Sequence, residues 1–229
     1  MRVSFLVPAY NEGATIGELL ERVEALELDK QVIVVDDGST DDTASILERW
    51  ESGGEGRVVI RQPNRGKGAA IRAAIARMDG EIAVIQDADL EYDPVDVPGL
   101  IEPIEGGVAD VVFGSRLTGG RPQRAYLFWH LVGNRFLSLV TNVLYNTTLH
   151  DMETGYKAFR ADVLRSLDLR SDDFAIEPEI TAKVCLRGLR IYELPIAYYG
   201  RTYAEGKKIT WRDGFKALYV LVSVRLGRD

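Results

Sequence analysis

Residues 81–93 read EIAVIQDADLEYD. The segment opens as an apolar, β-branched run and turns abruptly acidic, with Asp87, Asp89 and Glu91 at every second position. A short apolar run bounded by polar residues is the pattern of a strand buried on both faces, which belongs in a parallel sheet. If the extended backbone continued through the acids, all three would share one face. Carboxylates held that close repel one another unless a cation neutralises them. An all-oxygen donor set suits a hard cation, Mg²⁺ or Mn²⁺, and magnesium keeps positions open for water and substrate phosphates. On this reading the acids hold a metal and the metal holds a diphosphate. For the DAD triplet alone, a solvated loop with capping acids is the better reading. Its position at the end of an apolar strand, beside other polar strand ends, favours the metal.

The same pattern recurs along the chain. VSFLVPAY (Val3–Tyr10), QVIVVDDGS (Gln31–Ser39) and RVVIRQP (residues 57–63) are strand-like, and each ends in polar or turn residues. Between them lie helical spacings. Ile16, Leu19, Leu20, Val23 and Leu26 share one helical face, and DDTASILERW reads as a helix capped by one of its Asp residues. NRGKGAAIRAAIARM is a Gly-rich turn into a helix. Strands alternating with helices predict an α/β domain, a mostly parallel sheet covered on both faces. In such sheets ligands bind beyond the carboxyl ends of the strands. Pro8–Asn11, Asp36–Ser39, Asn64–Gly68 and Asp87–Glu91 all fall there, so four strand ends point to one site. Past Glu91, the reading gives a strand in ADVVFGSR (Ala109–Arg116), a long amphipathic stretch, a helix around EPEITAKVCLRG, a strand in RIYELPIAYYGR and a C-terminal helix from WRDGFKALYVLVSVRLGRD.

At 229 residues, 46% hydrophobic and 28% charged, the chain suits one globular domain with a substantial core. It shows no internal repeat, linker or low-complexity tract. The net charge of −7 is uneven: residues 1–115 hold 10 Lys and Arg against 23 Asp and Glu, and residues 116–229 hold 18 against 12. An acidic first half fits a divalent cation and a basic second half an anionic partner, although most single charges simply solvate helix faces. The lone Cys185 points to a reducing compartment. The first apolar run is too short for a signal peptide. Residues 125–149, AYLFWHLVGNRFLSLVTNVLYNTTL, are interrupted by Arg135 and read as a core helix or an interfacial one, with Tyr126, Phe128 and Trp129 suited to a membrane surface. Nucleic-acid binding is excluded by the acidic balance and the lack of a basic stripe interleaved with aromatics.

Single motifs say less than their sum. NRGKGAA matches neither GxGxxG nor GxxxxGK[ST], so Gly66 and Gly68 fit a phosphate turn or an ordinary tight turn equally. Lys67 would meet a phosphate or solvent. Asp36 and Asp37 would accept from a ribose or base, or serve turn chemistry. Taken together, VPAYNE, VVDDGSTDDT, NRGKGAA and QDADLEYDP resemble the family-2 glycosyltransferases of the GT-A fold. FGSR, DMETGYKAFR, FAIEPEITAK and GRTYAEGKKI narrow the resemblance to the dolichol- or polyprenol-phosphate hexose synthases.

The resemblance implies a single domain over residues 1–229. Residues 1–115 or so would bind nucleotide sugar and metal, and the remainder would face the acceptor. It places Pro8, Tyr10 and Glu12 on the base and ribose, with Asp36 on the base or ribose. Lys67, Gln86 and Asp87 join this donor side. Asp87, Asp89 and Glu91 would hold the Mg²⁺ or Mn²⁺ of the donor diphosphate. Glu91 stands where relatives often carry Gln. Arg116, Arg135 and Arg201 would lie near the acceptor phosphate and the donor, with Lys207 and Lys208 in the EGKKI segment. Asp151 would stand on the acceptor side as a base for a neutral hydroxyl. The activity implied is inverting, metal-dependent transfer of a hexose from GDP-mannose or UDP-glucose to a polyprenyl phosphate, with a sugar or small-molecule hydroxyl acceptor as the alternative. A phosphate acceptor needs cationic side chains more than a base. Such an enzyme would be cytoplasmic and peripheral at the cytoplasmic membrane face, with residues 125–149 and FKALYVLVSVRL as interfacial helices or as docking sites for a membrane-anchoring subunit. A nucleotidyltransferase is disfavoured by VPAYNEGATIG where a GxGTR-like signature would stand, and a non-catalytic module by the presence of all three acids.

Overall fold

A computed structural model describes residues 1–125, 127–202 and 211–227. The first half builds the predicted alternation: β1 (Val3–Ala9), α1 (Ile16–Glu24), β2 (Lys30–Asp36), α2 (Thr43–Glu51), β3 (Arg57–Arg61), α3 (Lys67–Ile75) and β4 (Ile82–Ile85). These four strands are parallel, with β1 between β2 and β4. α1 forms because its apolar residues recur every three or four positions, and Ile16, Leu19, Leu20 and Val23 are buried. α2 starts where Asp41 accepts from the Thr43 amide at 3.0 Å and its hydroxyl at 2.6 Å, the expected capping acid.

The second half comprises α4 (Val97–Glu105), β5 (Val111–Ser115), α5 (Phe128–Tyr145), β6 (Lys157–Arg160), α6 (Ala161–Ser166), α7 (Ile176–Leu186), β7 (Ile191–Pro195) and α8 (Trp211–Arg225). Three of these, α4, β6 and α6, have no counterpart in the sequence reading. β6 is antiparallel to both β4 and β5 and lies between them, giving the order β3-β2-β1-β4-β6-β5-β7. The second half is therefore sewn into the same sheet and is not a separate body.

Helices cover both faces. Phe5, Val7, Val34 and Val84 pack with α1, α2 and α4 on one side. Leu6, Ile33, Ile85 and Phe113 pack with α3 and α5–α8 on the other. Side chains alternate across each strand and both faces are covered, so β1, β2 and β4 are apolar along most of their length. Full burial of such a side chain contributes about 1.5–3 kcal/mol. The strand order reverses between β1 and β4, and a crevice opens there at their carboxyl ends.

One expectation fails locally. β4 ends at Ile85, and residues 88–92 form turns, with Leu90 at φ 59°. Asp87, Asp89 and Glu91 therefore do not share one face of an extended strand. The apolar run that drives the strand stops before them, and the turn carries their carboxylates to Lys67 and Arg201.

Candidate active site

Beyond β1 and β4 lies a cavity of about 990 Å³. Its walls include Pro8 at the end of β1, Tyr10 and Glu12 after it, Lys67 at the start of α3, Asp87, Asp89 and Glu91 after β4, and Arg116 after β5. Arg201 lines it too, as do Leu127, Phe128 and Leu131 at the start of α5. The structure thus gathers side chains from segments far apart in sequence.

At the acid end each carboxylate meets a cation supplied by this chain. Arg201 bonds Asp89 Oδ2 through Nη2 at 2.7 Å and Glu12 Oε2 through Nη1 at 3.2 Å, and its Nε lies 3.5 Å from Glu91 Oε1. Asp87 is held by Lys67, whose Nζ is 2.7 Å from Oδ1. Asp89 nonetheless stays uncomfortable. Burial, then the negative charges of Asp87 and Glu91, push its carboxyl up to about 7 against the pull of Arg201. Glu91 is more committed. Its Oε2 accepts from Tyr198 Oη at 2.8 Å, its Oε1 from the Arg201 amide at 2.8 Å, and its carbonyl from the Tyr199 amide at 2.9 Å. These bonds make Glu91 a latch for the segment after β7. Among the described residues no group of three His, Cys, Asp or Glu side chains forms a ready metal cage. A Mg²⁺-type ion does not require one, since it is commonly held by one or two carboxylates and substrate phosphates. The crowding of Asp89 by the charges of Asp87 and Glu91, which a cation would relieve, fits such an ion.

Lys67 belongs to a buried network rather than to solvent. Its Nζ also lies 3.0 Å from Glu177 Oε1, and Lys157 Nζ is 2.5 Å from Glu177 Oε2. Burial opposes the Lys67 charge, but Asp87 and then Glu177 outweigh it and hold the ammonium far above its ordinary range. Burial likewise opposes the Glu177 carboxylate, and Lys157 and Lys67 together keep it below its usual value. The glycines of the turn have a packing cause. A Cβ on Gly66, at φ 99°, would sit 2.5 Å from the Asp172 carbonyl oxygen, and one on Gly68 would sit 2.2 Å from that of Ser171. The turn is pinned by Asp37, which accepts from the Arg65 and Gly66 amides at 2.9 and 2.7 Å.

Opposite the acids stands Arg116. Asp151 grips it with Oδ2 on Nε and Oδ1 on Nη2, both at 2.7 Å, and Oδ2 also accepts the Arg116 amide at 2.9 Å. The guanidinium lies 5.2 Å from the centroid of the Tyr198 ring. Asp151 is wholly buried and does not line the cavity. With both oxygens committed to Arg116 it is an anchor, which corrects its reading as a base.

Three other expected residues stand apart. Asp36 is buried, caps its own turn by accepting the Ser39 amide at 2.9 Å, and leaves the cavity wall to Asp37. Gln86 is fully buried, and its amide nitrogen bonds the carbonyls of Asp87 and Tyr92 at 3.2 and 3.4 Å, bracing the acidic turn from behind. Arg135 is exposed on α5, off the cavity wall. Lys207, Lys208 and Tyr126 lie outside the described residues. Sequence reasoning passed over Tyr92, Glu153, Lys157, Glu177 and Tyr198, although DMETGYK and FAIEPEI contain three of them.

The profile of glycosyl transferase family 2 matches residues 4–168, which holds the strand ends that build this cavity. The chain belongs to glycosyl transferase family 2. A low-salt glycan biosynthesis hexosyltransferase of Haloferax volcanii is 31% identical to this family-2 chain over 218 residues, 93% of this chain and 51% of that protein. An undecaprenyl-phosphate mannosyltransferase of Micrococcus luteus is 31% identical over 220 residues, 90% of this chain and 87% of that protein. Glucosyl-3-phosphoglycerate synthase from Mycobacterium tuberculosis, solved with Mn²⁺, uridine diphosphate and glucosyl-3-phosphoglycerate, superposes with a TM-score of 0.71 at 23% identity, covering 99% of this chain and 79% of that one. That likeness shows the shared GT-A architecture. This family-2 chain spans about half the length of the Haloferax hexosyltransferase.

Proposed function

We propose that this chain transfers a hexose from a nucleotide sugar to a polyprenyl phosphate with the help of a divalent cation. One observation carries the reading. The cavity joins an acid end, where Asp89 is crowded by the charges of Asp87 and Glu91, to a fixed cation, Arg116, and is lined as well by the apolar Leu127, Phe128 and Leu131. An amphiphilic anion fits that set of surfaces: phosphate toward Arg116, chain toward the apolar side chains.

Asp89 and Asp87 would hold a Mg²⁺ or Mn²⁺ ion, which when bound offsets the charge growing on the leaving diphosphate. Pro8 and Tyr10 flank the donor, and Lys67 keeps Asp87 turned toward it. Arg116 draws the acceptor phosphate against the repulsion of a second anion, and its planar fork suits phosphate oxygens. No base is needed, because the acceptor oxygen already carries charge. Similarity to the undecaprenyl-phosphate mannosyltransferase of Micrococcus luteus supports the acceptor class, and the Mn²⁺ bound by the mycobacterial synthase supports the metal.

The outer surface supports action at a membrane. Trp129, Val132, Phe136, Leu139 and Val143 of α5 are exposed, as are Phe215, Tyr219 and Val222 of α8. Each set recurs every three or four residues, so each helix turns one apolar stripe outward. The helices adjoin: Tyr145 Oη donates to the Leu221 carbonyl at 2.6 Å and Arg225 Nε to that of Leu144 at 2.9 Å. α5 contains no Asp or Glu, and exposed Arg135 sits beside its stripe where a lipid phosphate would meet it. Among the described residues no helix is long and apolar enough to cross a membrane. The surface therefore reads as one that lies on the bilayer.

The test is a labelled-sugar transfer assay with purified protein, Mg²⁺ or Mn²⁺, a panel of nucleotide sugars and a polyprenyl phosphate in detergent. Metal-dependent label in the organic phase from one donor is the expected result. Turnover only with water-soluble acceptors would move the reading to a hydroxyl acceptor.

A further inference from the structure

Glu153 lines the cavity, yet its Oε1 is buried with no hydrogen-bond partner among the described residues. Other buried oxygens without hydrogen bonds have a compensating cation or lie off the cavity wall. Glu177 Oε1 has Lys67 at 3.0 Å, Asp96 Oδ1 has Arg121 at 2.7 Å, and Gln86 does not line the cavity. Glu153 lines the cavity, and among the described residues no cation reaches it in a direct ion pair, although Lys157 and Arg116 act on it from farther away. A buried carboxyl oxygen left without a hydrogen bond at a cavity wall costs free energy unless a ligand completes it.

Its place in the chain adds direction. Two residues before it, Asp151 anchors Arg116. Two residues after it, Gly155 leaves room for the acid end, since a Cβ there would lie 2.5 Å from Asp87 Oδ2 and 2.9 Å from Lys67 Nζ. Glu153 is therefore carried on the short segment that bridges the acceptor cation and the donor acids. We propose that Glu153 contacts the acceptor, its carboxyl donating a hydrogen bond to a phosphate oxygen that Arg116 binds by charge. The inference rests on the phosphate-acceptor reading above.

An ionised carboxylate beside a phosphate would repel it, so the role requires the acid form, which offers one O–H donor. The surroundings provide it. Burial pushes the Glu153 carboxyl up to about 7, Glu177 of α7 and Asp151 add to the push, and Lys157 of β6 and Arg116 oppose it.

The experiment compares Glu153→Leu and Glu153→Gln with wild type. It measures acceptor KM and kcat with a short-chain polyprenyl phosphate, nucleotide-sugar affinity by calorimetry, and the pH dependence of acceptor KM. Glu153→Leu should raise acceptor KM by about tenfold or more, with donor affinity unchanged. Glu153→Gln keeps an N–H donor, so it should stay within about threefold of wild type at neutral pH. It should also lose the weakening of acceptor binding that wild type shows as pH rises through about 7. Wild-type kinetics in Glu153→Leu would overturn the proposal, as would equal failure of Glu153→Gln and Glu153→Leu, or a fall in donor affinity. If wild type itself transfers nothing to any polyprenyl phosphate, the acceptor reading fails and this inference with it. Transfer by wild type with an unaltered Leu variant sinks the Glu153 role alone.

Discussion

Asp89 and Asp151 are both carboxylates gripped by an arginine within one cavity system, and they are built to opposite ends. Asp151 is wholly buried and faces a single partner, Arg116, with two side-chain bonds and one amide bond. Asp89 keeps some exposure, shares Arg201 with Glu12 and Glu91, and lies among negative charges that push it up to about 7. The first is a closed ion pair whose purpose is to aim an arginine. The second is a crowd of negative charges that share one arginine.

Substitutions should separate these two designs. Asp89→Asn should lower transfer by on the order of 10³-fold while leaving the melting temperature unchanged or raised, because it removes one of several like charges. A fall in melting temperature matching the loss of activity would make Asp89 another anchor. Asp151→Ala should do the reverse of that stability pattern. It strands the buried Arg116 charge, at about 3–5 kcal/mol, readable as a shifted urea midpoint. A midpoint equal to wild type would contradict the closed-pair reading. Gly155→Ala sharpens the contrast from the other side, since its methyl group would meet Asp87 Oδ2 and Lys67 Nζ. Overpacking of about 1–3 kcal/mol should appear in stability together with a weakened metal response.

The acid end should also give a pH signature. Asp89 and Glu153 are each raised to about 7 in the folded state, from ordinary values of 3.8 and 4.5. Between those limits the folded chain keeps protons that the unfolded chain has lost, so stability falls as pH rises through this window. Without metal, urea midpoints should decline from about pH 4.5 to 7 for this reason, and Asp89→Asn with Glu153→Gln should flatten the decline. The smallest effect lies farthest from the chemistry. Trp129→Ala with Phe136→Ala should reduce sedimentation with anionic vesicles by about tenfold and leave transfer to a detergent-soluble acceptor intact.

The two carboxylates were not equally legible in the sequence. Asp89 stands in a local pattern: an apolar run, a turn and alternating acids, repeated at the other strand ends. Local patterns of that kind gave β1 to β4, the two-sided cover and the acid end. Asp151 could be placed near Arg116 only by resemblance, and its role came out wrong because a pair separated by 35 residues leaves no periodic trace. The same holds for Arg201, which reaches Glu12 across 189 residues and Asp89 across 112. The antiparallel β6 was missed because Lys157–Arg160 is short and mixed, and Lys157 is buried only because Glu177 and the Thr154 carbonyl receive it. Buried charge is set by partners, and partners are a property of topology.

The most direct test of this division of labour is Mn²⁺ binding followed by electron paramagnetic resonance, with and without nucleoside diphosphate. Wild type and Asp151→Asn should each retain a nucleotide-dependent Mn²⁺ site, and Asp89→Asn should lose it. Undiminished Mn²⁺ binding in Asp89→Asn, or its loss in a folded Asp151→Asn protein alone, would contradict the account.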